Sequence, residues 1–212
     1  MNGFEDGSIN KAILSRVEKC PFHKNPEVLF DALCEKYQNA FVYLISSELF
    51  GTWVGATPEI LLSGNEEGFT TYALAGTKAV GESIDWTEKE YQEQKYVADF
   101  IQELLIESNV EALKASDVKT VNVGPIEHLR TDSDFKANDV NRIKIAENLH
   151  PPPAVSGTPR EKSIELIYSI ESHDRSLYAG FSGPVESNLN LYVNLRWAQL
   201  FEGEGYLHLG GG

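Results

Sequence analysis

Apolar and polar residues first alternate over Lys11-Ala12-Ile13-Leu14-Ser15-Arg16, a pattern that predicts a strand. Period two sets Lys11, Ile13 and Ser15 on one face and Ala12, Leu14 and Arg16 on the other. Asn25-Pro26 reads as a helix start, with Asn at the N-cap, Pro at N1 and Glu27 in the first turn. Val28, Leu29, Ala32 and Leu33 form its apolar stripe, and Gln38-Asn39 ends it. Ala40 to Ile45 reads as a buried strand. Thr52 to Thr77 reads as a hairpin, with the turn at Ser63-Gly64-Asn65-Glu66-Glu67-Gly68 and a return strand from Phe69 to Leu74. The return ends in Ala75-Gly76-Thr77, a small-residue stop that lets another group approach the backbone. Pro58-Glu59 interrupts the outgoing half. Proline cannot donate to a ladder, so Pro58 marks a break and Glu59 sits where the strand changes course.

Trp86 to about Ala115 is the longest helical stretch, with Tyr91, Val97, Phe100, Ile101, Leu104 and Leu105 at helical spacing. Thr120 to Thr131 reads as a strand running into a loop, and residues 132–148 as a solvated loop with a short amphipathic piece. In His150 to Glu161 the prolines set an extended path, and Ser156-Gly157 permits close backbone approach. Thr158-Pro159-Arg160-Glu161 reads as a capping box that opens a helix from Pro159 to about Ser169. Glu171 to Arg175 is charged and gives way to a glycine-spaced strand through Gly183. Asn190 to Ala198 reads as one further strand that places Asn194, Arg196 and Ala198 on one face. Gly205 to Leu209 leads to Gly210-Gly211-Gly212, with no internal repeat along the chain.

The charge changes the picture. Eighteen basic against 32 acidic residues give −14 over 212 residues, which disfavours nucleic acid and anionic membrane as partners. A small anionic substrate would need a local Lys, Arg or metal ion. Cys20 and Cys34 form no framework and read as free thiols. Met1 to Asp6 has neither the basic start nor the apolar core of a signal peptide, and no apolar run nears the ~20 residues of a membrane span. A cytoplasmic protein is expected. Both ends read as cut, so a fragment is expected as well.

Several residues could carry chemistry. Lys11 either snorkels to solvent or is held in a pocket as a base. Glu59 is a lone carboxylate at a strand break. Glu90 and Glu93, at i and i+3, form either a solvated acidic face or oxygen ligands for a hard cation such as Mg²⁺. His128 is either a core histidine or a polar tooth in a site. Arg196, among small neighbours, could meet an anion bidentately.

The ordered motifs KAILSR, GATPEILL, LAGT, E-x-x-E-Q-x-x-V, HL-x-T, HPPPAVSGTPRE, DRSLYAGFSG, NLRWA and GGG resemble the chorismate-utilising enzymes along essentially the whole chain. That family includes isochorismate synthases, salicylate synthases and the large subunits of anthranilate and aminodeoxychorismate synthase. The resemblance implies an α+β fold of two large, mainly antiparallel β-sheets packed together with helices outside, incomplete here. It implies one chorismate-binding domain over 1–212, acting as a monomer in full-length form, with the N-terminal region and a C-terminal metal-binding helix missing. It gives Lys11 the role of base on an incoming water, Glu59 that of acid on the departing C4 hydroxyl, and His128 that of site histidine. Glu90 and Glu93 match the Mg²⁺ carboxylates. Gly76, Thr77, Ala154, Ser156, Tyr178, Leu195, Arg196 and Gly210 match substrate-contacting positions. Pro152 and Gln94 depart from the family pattern, which has Thr and His there. Lysine at position 11, where ammonia-using members carry glutamine, points to water as nucleophile. The expectation is therefore an isochorismate synthase, an isomerase feeding menaquinone or siderophore synthesis, with little turnover from these 212 residues alone. Salicylate synthase or another chorismate-utilising enzyme is the nearest alternative, and a non-catalytic chorismate-binding fragment the other.

Overall fold

The computed structural model describes residues 7–82, 85–123, 126–137 and 141–211; the expectations for Met1 to Asp6, Gly124-Pro125 and Gly212 lie outside them. The chain is α+β, with antiparallel strand pairs and, among the described residues, four helices. In chain order it runs β1 (Lys11–Ala12), β2 (Leu14–Phe22), α1 (Pro26–Lys36), β3 (Phe41–Ser47), β4 (Gly51–Thr57), β5 (Ile60–Asn65) and β6 (Gly68–Ala79). Then come α2 (Glu88–Glu107), β7 (Glu111–Ala115), β8 (Lys119–Val123), β9 (Ile126–Lys136), α3 (Arg142–Leu149), β10 (Gly157–Thr158) and α4 (Arg160–Ile170). Last are β11 (Phe181–Ser182), β12 (Leu189–Val193), β13 (Trp197–Phe201) and β14 (Gly203–Gly211). No described helix is long and apolar enough to cross a membrane.

The chain forms two compact units, one of Met1–Glu59, Val155–Ser182 and Tyr192–Gly212, the other of Ile60–Ala154 and Gly183–Leu191. The first holds a five-stranded sheet in the order β2-β14-β13-β4-β3. On one face Val54, Ala198 and Leu200 form a core that Leu29, Phe30 and Leu33 of α1 cover. The other face is aromatic. Trp197 pairs directly with Gly55, whose missing side chain makes room: a Cβ there would stand 2.4 Å from Tyr43 Oη and 2.8 Å from Trp197 Cδ1. Trp53, Trp197 and Tyr43 pack as tilted rings, and Tyr178 stacks on His208. The short ladder β1–β10 joins Lys11 to Thr158 and Ala12 to Gly157.

The second unit is a sheet on which α2 lies. β6 and β9 pair antiparallel, so that Phe69, Thr71, Ala73 and Ala75 stand opposite Phe135, Ser133, Thr131 and Leu129. All eight are buried. Two of the buried positions on β9 are hydroxyls, and the helix answers them: Gln94 donates to Thr131 Oγ1 (2.9 Å) and Gln102 to Ser133 Oγ (2.6 Å). Burying a hydroxyl costs little when it is paired in this way.

Several boundaries differ from the sequence reading. The first strand breaks at Ile13 and then runs on to Phe22. Helix α1 ends at Lys36, and Asn25 caps it without a side-chain hydrogen bond. Val28 and Ala32 are exposed, leaving Leu29, Phe30 and Leu33 as the packed stripe. Strand β3 is half-buried because it is the sheet's edge. The 52–77 stretch is three strands: β4 pairs with β3 and β13, and only β5–β6 is a hairpin, with its turn reduced to Glu66-Glu67. β6 does not stop at Thr77 but continues past a register shift between Ala75 and Lys78. The long helix ends at Glu107, followed by the separate strand β7, and the polar run to Lys136 is strand rather than loop. Pro159, not Thr158, is the N-cap of α4, because Thr158 is committed to β10. The glycine-spaced strand before Gly183 shrinks to β11. Asn190 to Ala198 is two strands broken at residues 194–196.

Candidate functional site

Most of the residues singled out above gather into two groups, one in each unit. In the first unit Glu59 stands between two strands at the break set by Pro58. Its N–H donates to Thr57 Oγ1 (3.2 Å) and its carbonyl accepts from Val193 N–H (2.9 Å), so the backbone is held at the turn. The side chain keeps a little surface open. Burial of its carboxyl pushes the pKa up to about 7, against the pull of the positive charges of Arg196 and Lys11. A carboxyl near neutrality can hold and release a proton at physiological pH.

Arg196, whose charge acts on this carboxyl, sits on an unexpected backbone. Asn194 leaves the strand: it donates from Nδ2 to Leu177 O (3.0 Å), and its N–H donates to Gly180 O (2.8 Å). Leu195 turns back on Val193 O (2.9 Å), and Arg196 takes φ +56° in the left-handed region. The strand periodicity that places Arg196 beside Ala198 is therefore corrected: Arg196 is exposed while Asn194 and Ala198 are buried. Left-handed conformations of non-glycine residues are costly and cluster at functional sites.

Lys11 is half-buried, and its backbone is held closely. Ser163 Oγ donates to Lys11 O (2.8 Å), and Ile13 N–H donates to Ser156 O (3.1 Å). Gly157 is required opposite it, since a Cβ there would lie 2.1 Å from Lys11 O and the residue has φ +124°. Tyr178 is buried, and burial raises the pKa of its hydroxyl, helped by the charges of Glu171 and Glu59 and opposed by Arg175. Gly210 is needed beside it: a Cβ would stand 2.3 Å from Tyr178 Oη.

A further cluster in this unit escaped the sequence reading. Glu171 accepts from Arg175 Nε (2.8 Å) and Nη2 (2.6 Å), and from Ser15 N–H (2.6 Å) and Oγ (3.0 Å). His173 Nε2 lies 2.9 Å from Ser15 Oγ. Burial alone would raise the Glu171 pKa, but the bonds from Arg175 and Ser15 outweigh it and hold the carboxyl below its usual range. Burial, then the neighbouring His173, lowers the pKa of His208 beneath Tyr178, with Asp174 opposing. The charged run 171–175 was visible as composition, but its partners lie over 150 residues away in sequence.

In the second unit the register shift of β6 frees Gly76 and Thr77. His128 Nδ1 lies 2.7 Å from Gly76 O and 3.1 Å from Thr77 Oγ1. A carbonyl only accepts, so Nδ1 carries the proton and Nε2 is the acceptor of the neutral ring. Trp86 and Glu90 close over Gly76, with 3.2 Å and 3.3 Å left for a Cβ. Glu90 Oε2 accepts from Thr87 N–H (2.8 Å) and from Thr87 Oγ1, a capping box. Those bonds, the side-chain one first, lower its pKa. Glu93 is half-buried, 4.0 Å from Lys89. Ala154 is half-buried at the end of the Ile60–Ala154 segment.

Glu90 and Glu93 are oxygen donors of the class a hard cation takes, one helical turn apart. Among the described residues no group of three or more His, Cys, Asp or Glu converges on a metal site. Two carboxylates are the kind of oxygen ligand that Mg²⁺ takes in small number beside its waters.

Comparison with known proteins agrees with the fold. The family described as "Chorismate binding enzyme" matches residues 1–212. Isochorismate synthase EntC of Escherichia coli (strain K12) is 31% identical over 175 residues, covering 76% of this chain and 45% of its own length. The chain thus spans about half the length of the curated relatives it matches. The solved structure of MenF, the menaquinone-specific isochorismate synthase from Escherichia coli, superposes with a TM-score of 0.84 at 22% identity, covering 99% of this chain and 53% of that one. Anthranilate synthase component I from Streptococcus pneumoniae superposes with a TM-score of 0.85 at 20% identity, covering 99% of this chain and 49% of that one.

Proposed function

Because the chain belongs to the chorismate-binding enzyme family, we propose that it carries the acid and base of an isochorismate synthase. Chorismate is a dianion, and a chain of charge −14 can receive it only where cations are gathered. Arg196 supplies a fork for one carboxylate. In the second unit Glu90 and Glu93 would hold Mg²⁺, which supplies positive charge against a carboxylate.

The reaction needs a nucleophile activated on the ring and a leaving group protonated. Lys11 Nζ takes a proton from the incoming water as its oxygen bonds to C2. The ring double bonds shift, the C4–O bond breaks, and Glu59 gives its proton to the departing hydroxyl, which leaves as water. One water enters and one leaves, so the product is an isomer of the substrate. The proposal rests above all on Glu59, a carboxyl tuned to about 7 within the field of both Lys11 and Arg196. The relatives named for isochorismate synthesis support water as nucleophile, and menaquinone or siderophore synthesis would consume the product. The chain's likeness to anthranilate synthase keeps an amine product in the test.

That test is product analysis. The full-length protein is incubated with chorismate and Mg²⁺, and products are separated and identified by mass. Isochorismate formation abolished by Lys11→Gln supports the reading. Anthranilate formed with ammonia, or salicylate with pyruvate, overturns it in favour of another branch of the family.

A further inference from the structure

We infer that the Glu171–Arg175 pair is a positioning clamp that sets Lys11 against the Ser156–Gly157 backbone, and that turnover depends on its geometry as well as on its charge. The inference rests on the proposed role of Lys11 as base.

The pair is nearly sealed from solvent, with side-chain exposures of 5% for Glu171 and 17% for Arg175. An ion pair placed there solely for stability would be a poor choice, since an apolar pair of similar volume often does as well. What this pair does with its remaining donors and acceptors is more specific. Arg175 Nη2 donates to Ile13 O (2.8 Å) and Nη1 to Val155 O (3.0 Å). Glu171 Oε1 takes the N–H of Ser15 (2.6 Å). One guanidinium and one carboxylate therefore hold two separate backbone segments.

Those segments are the ones that carry the β1–β10 ladder. Ile13 and Val155 each stand two residues from a ladder residue, Lys11 and Gly157. β1–β10 is only a two-residue pairing, extended by Asn10 N–H to Thr158 O (2.8 Å) and Ile13 N–H to Ser156 O (3.1 Å), and the clamp adds side-chain bonds at its end. Ile13 lies in the gap between β1 and β2, where its carbonyl has no strand partner in the ladder registers. The guanidinium fork is planar and delivers two carbonyl bonds at a set spacing, which a lysine ammonium cannot reproduce. The same bidentate pair begins the turn that leads to Tyr178, whose N–H donates to Arg175 O (2.8 Å). The segments that carry Lys11 and Ser156 are thus spaced by one pair of side chains that itself need not touch substrate, while the Arg175 main-chain carbonyl starts the turn to Tyr178.

The experiment compares Arg175→Lys and Glu171→Asp with a core variant elsewhere, Val97→Ala, in the purified protein. Steady-state turnover is measured, along with the rate of Lys11 acylation by acetic anhydride read by peptide mass spectrometry. A displacement near 1 Å is enough to lower kcat ~10²-fold. We expect Arg175→Lys to lower kcat ~10-fold or more, with KM changed less than kcat, and to alter the Lys11 acylation rate. Val97→Ala should lower the melting temperature while leaving both readouts unchanged per folded molecule. If Arg175→Lys fails to fold, Glu171→Asp keeps the charge pair, shortens its reach by one methylene, and carries the same expectation. Unchanged kcat and unchanged Lys11 acylation in a folded clamp variant would overturn the inference. Acylation that shifts while the parent protein shows no isochorismate formation supports the clamp and sinks only the proposed reaction.

Discussion

Glu59→Gln separates the acid role from an ordinary buried carboxylate, because it predicts opposite changes in rate and in stability. Glutamine keeps the shape and cannot ionise or transfer a proton. The Glu59 pKa rises from an ordinary 4.5 to about 7, burial raising it and Arg196 and Lys11 opposing. Between those values the folded protein keeps a proton that the unfolded chain has released. The stability from Glu59 is therefore fully present below pH 4.5 and lost as the pH rises through about 7. That gap corresponds to about 3 kcal/mol as an upper value, since part of the side chain meets solvent. Above pH 8, Glu59→Gln should be more stable than the parent by about 1–3 kcal/mol, and near pH 4 the two should unfold together. Denaturant titrations at pH 4 and pH 8.5 measure the difference. Turnover should move the other way, with kcat lower by ~10²-fold or more and KM little changed. In the parent, the kcat limb assigned to the acid should fall as pH rises past about 7. A stability difference that does not change with pH would refute the buried carboxyl, and an active Glu59→Gln enzyme would refute its role as acid.

In the full-length enzyme Lys11→Gln should lower turnover by ~10²–10⁴-fold, the range for losing a general base, with substrate still bound as judged by calorimetry. Gly157→Ala puts a Cβ against Lys11 O at a positive φ, and thermal melting should show a loss of about 1–3 kcal/mol or more. Gln94→Leu leaves Thr131 Oγ1 and Ala73 O without their partner and should cost about 1–3 kcal/mol in denaturant melts. Chelation should abolish turnover and added Mg²⁺ restore it, with Glu90→Ala and Glu93→Ala requiring more Mg²⁺ for half-maximal rate; turnover indifferent to chelator would remove the metal from the reading.

Much of the chain is legible locally. The stripe of Val97, Ile101, Leu104 and Leu105 specifies α2, and Asn25-Pro26 specifies the start of α1, because both signals act within a few residues. Pro58 before Glu59 marks a break that the structure keeps, since a missing donor ends a ladder wherever the strand lies. The ordered motifs were enough to name the family that matches the whole chain. What they could not show depends on partners distant in sequence. The polar run to Lys136 is a strand because it pairs with β6, β7 and β8, and Gln94 and Gln102 of α2 satisfy its buried hydroxyls. Arg196 leaves strand geometry because Asn194 is drawn to Leu177 and Gly180. Glu59 reaches a pKa of about 7 through burial, against the opposing charges of Arg196 and Lys11, far apart in the chain. The Glu171–Arg175 pair binds Ile13 and Ser15 across more than 150 residues, a contact with no local signature. Periodicity and turn chemistry are short-range and appear in the sequence; desolvation and long-range hydrogen bonding are properties of the packed chain and arise only when it folds.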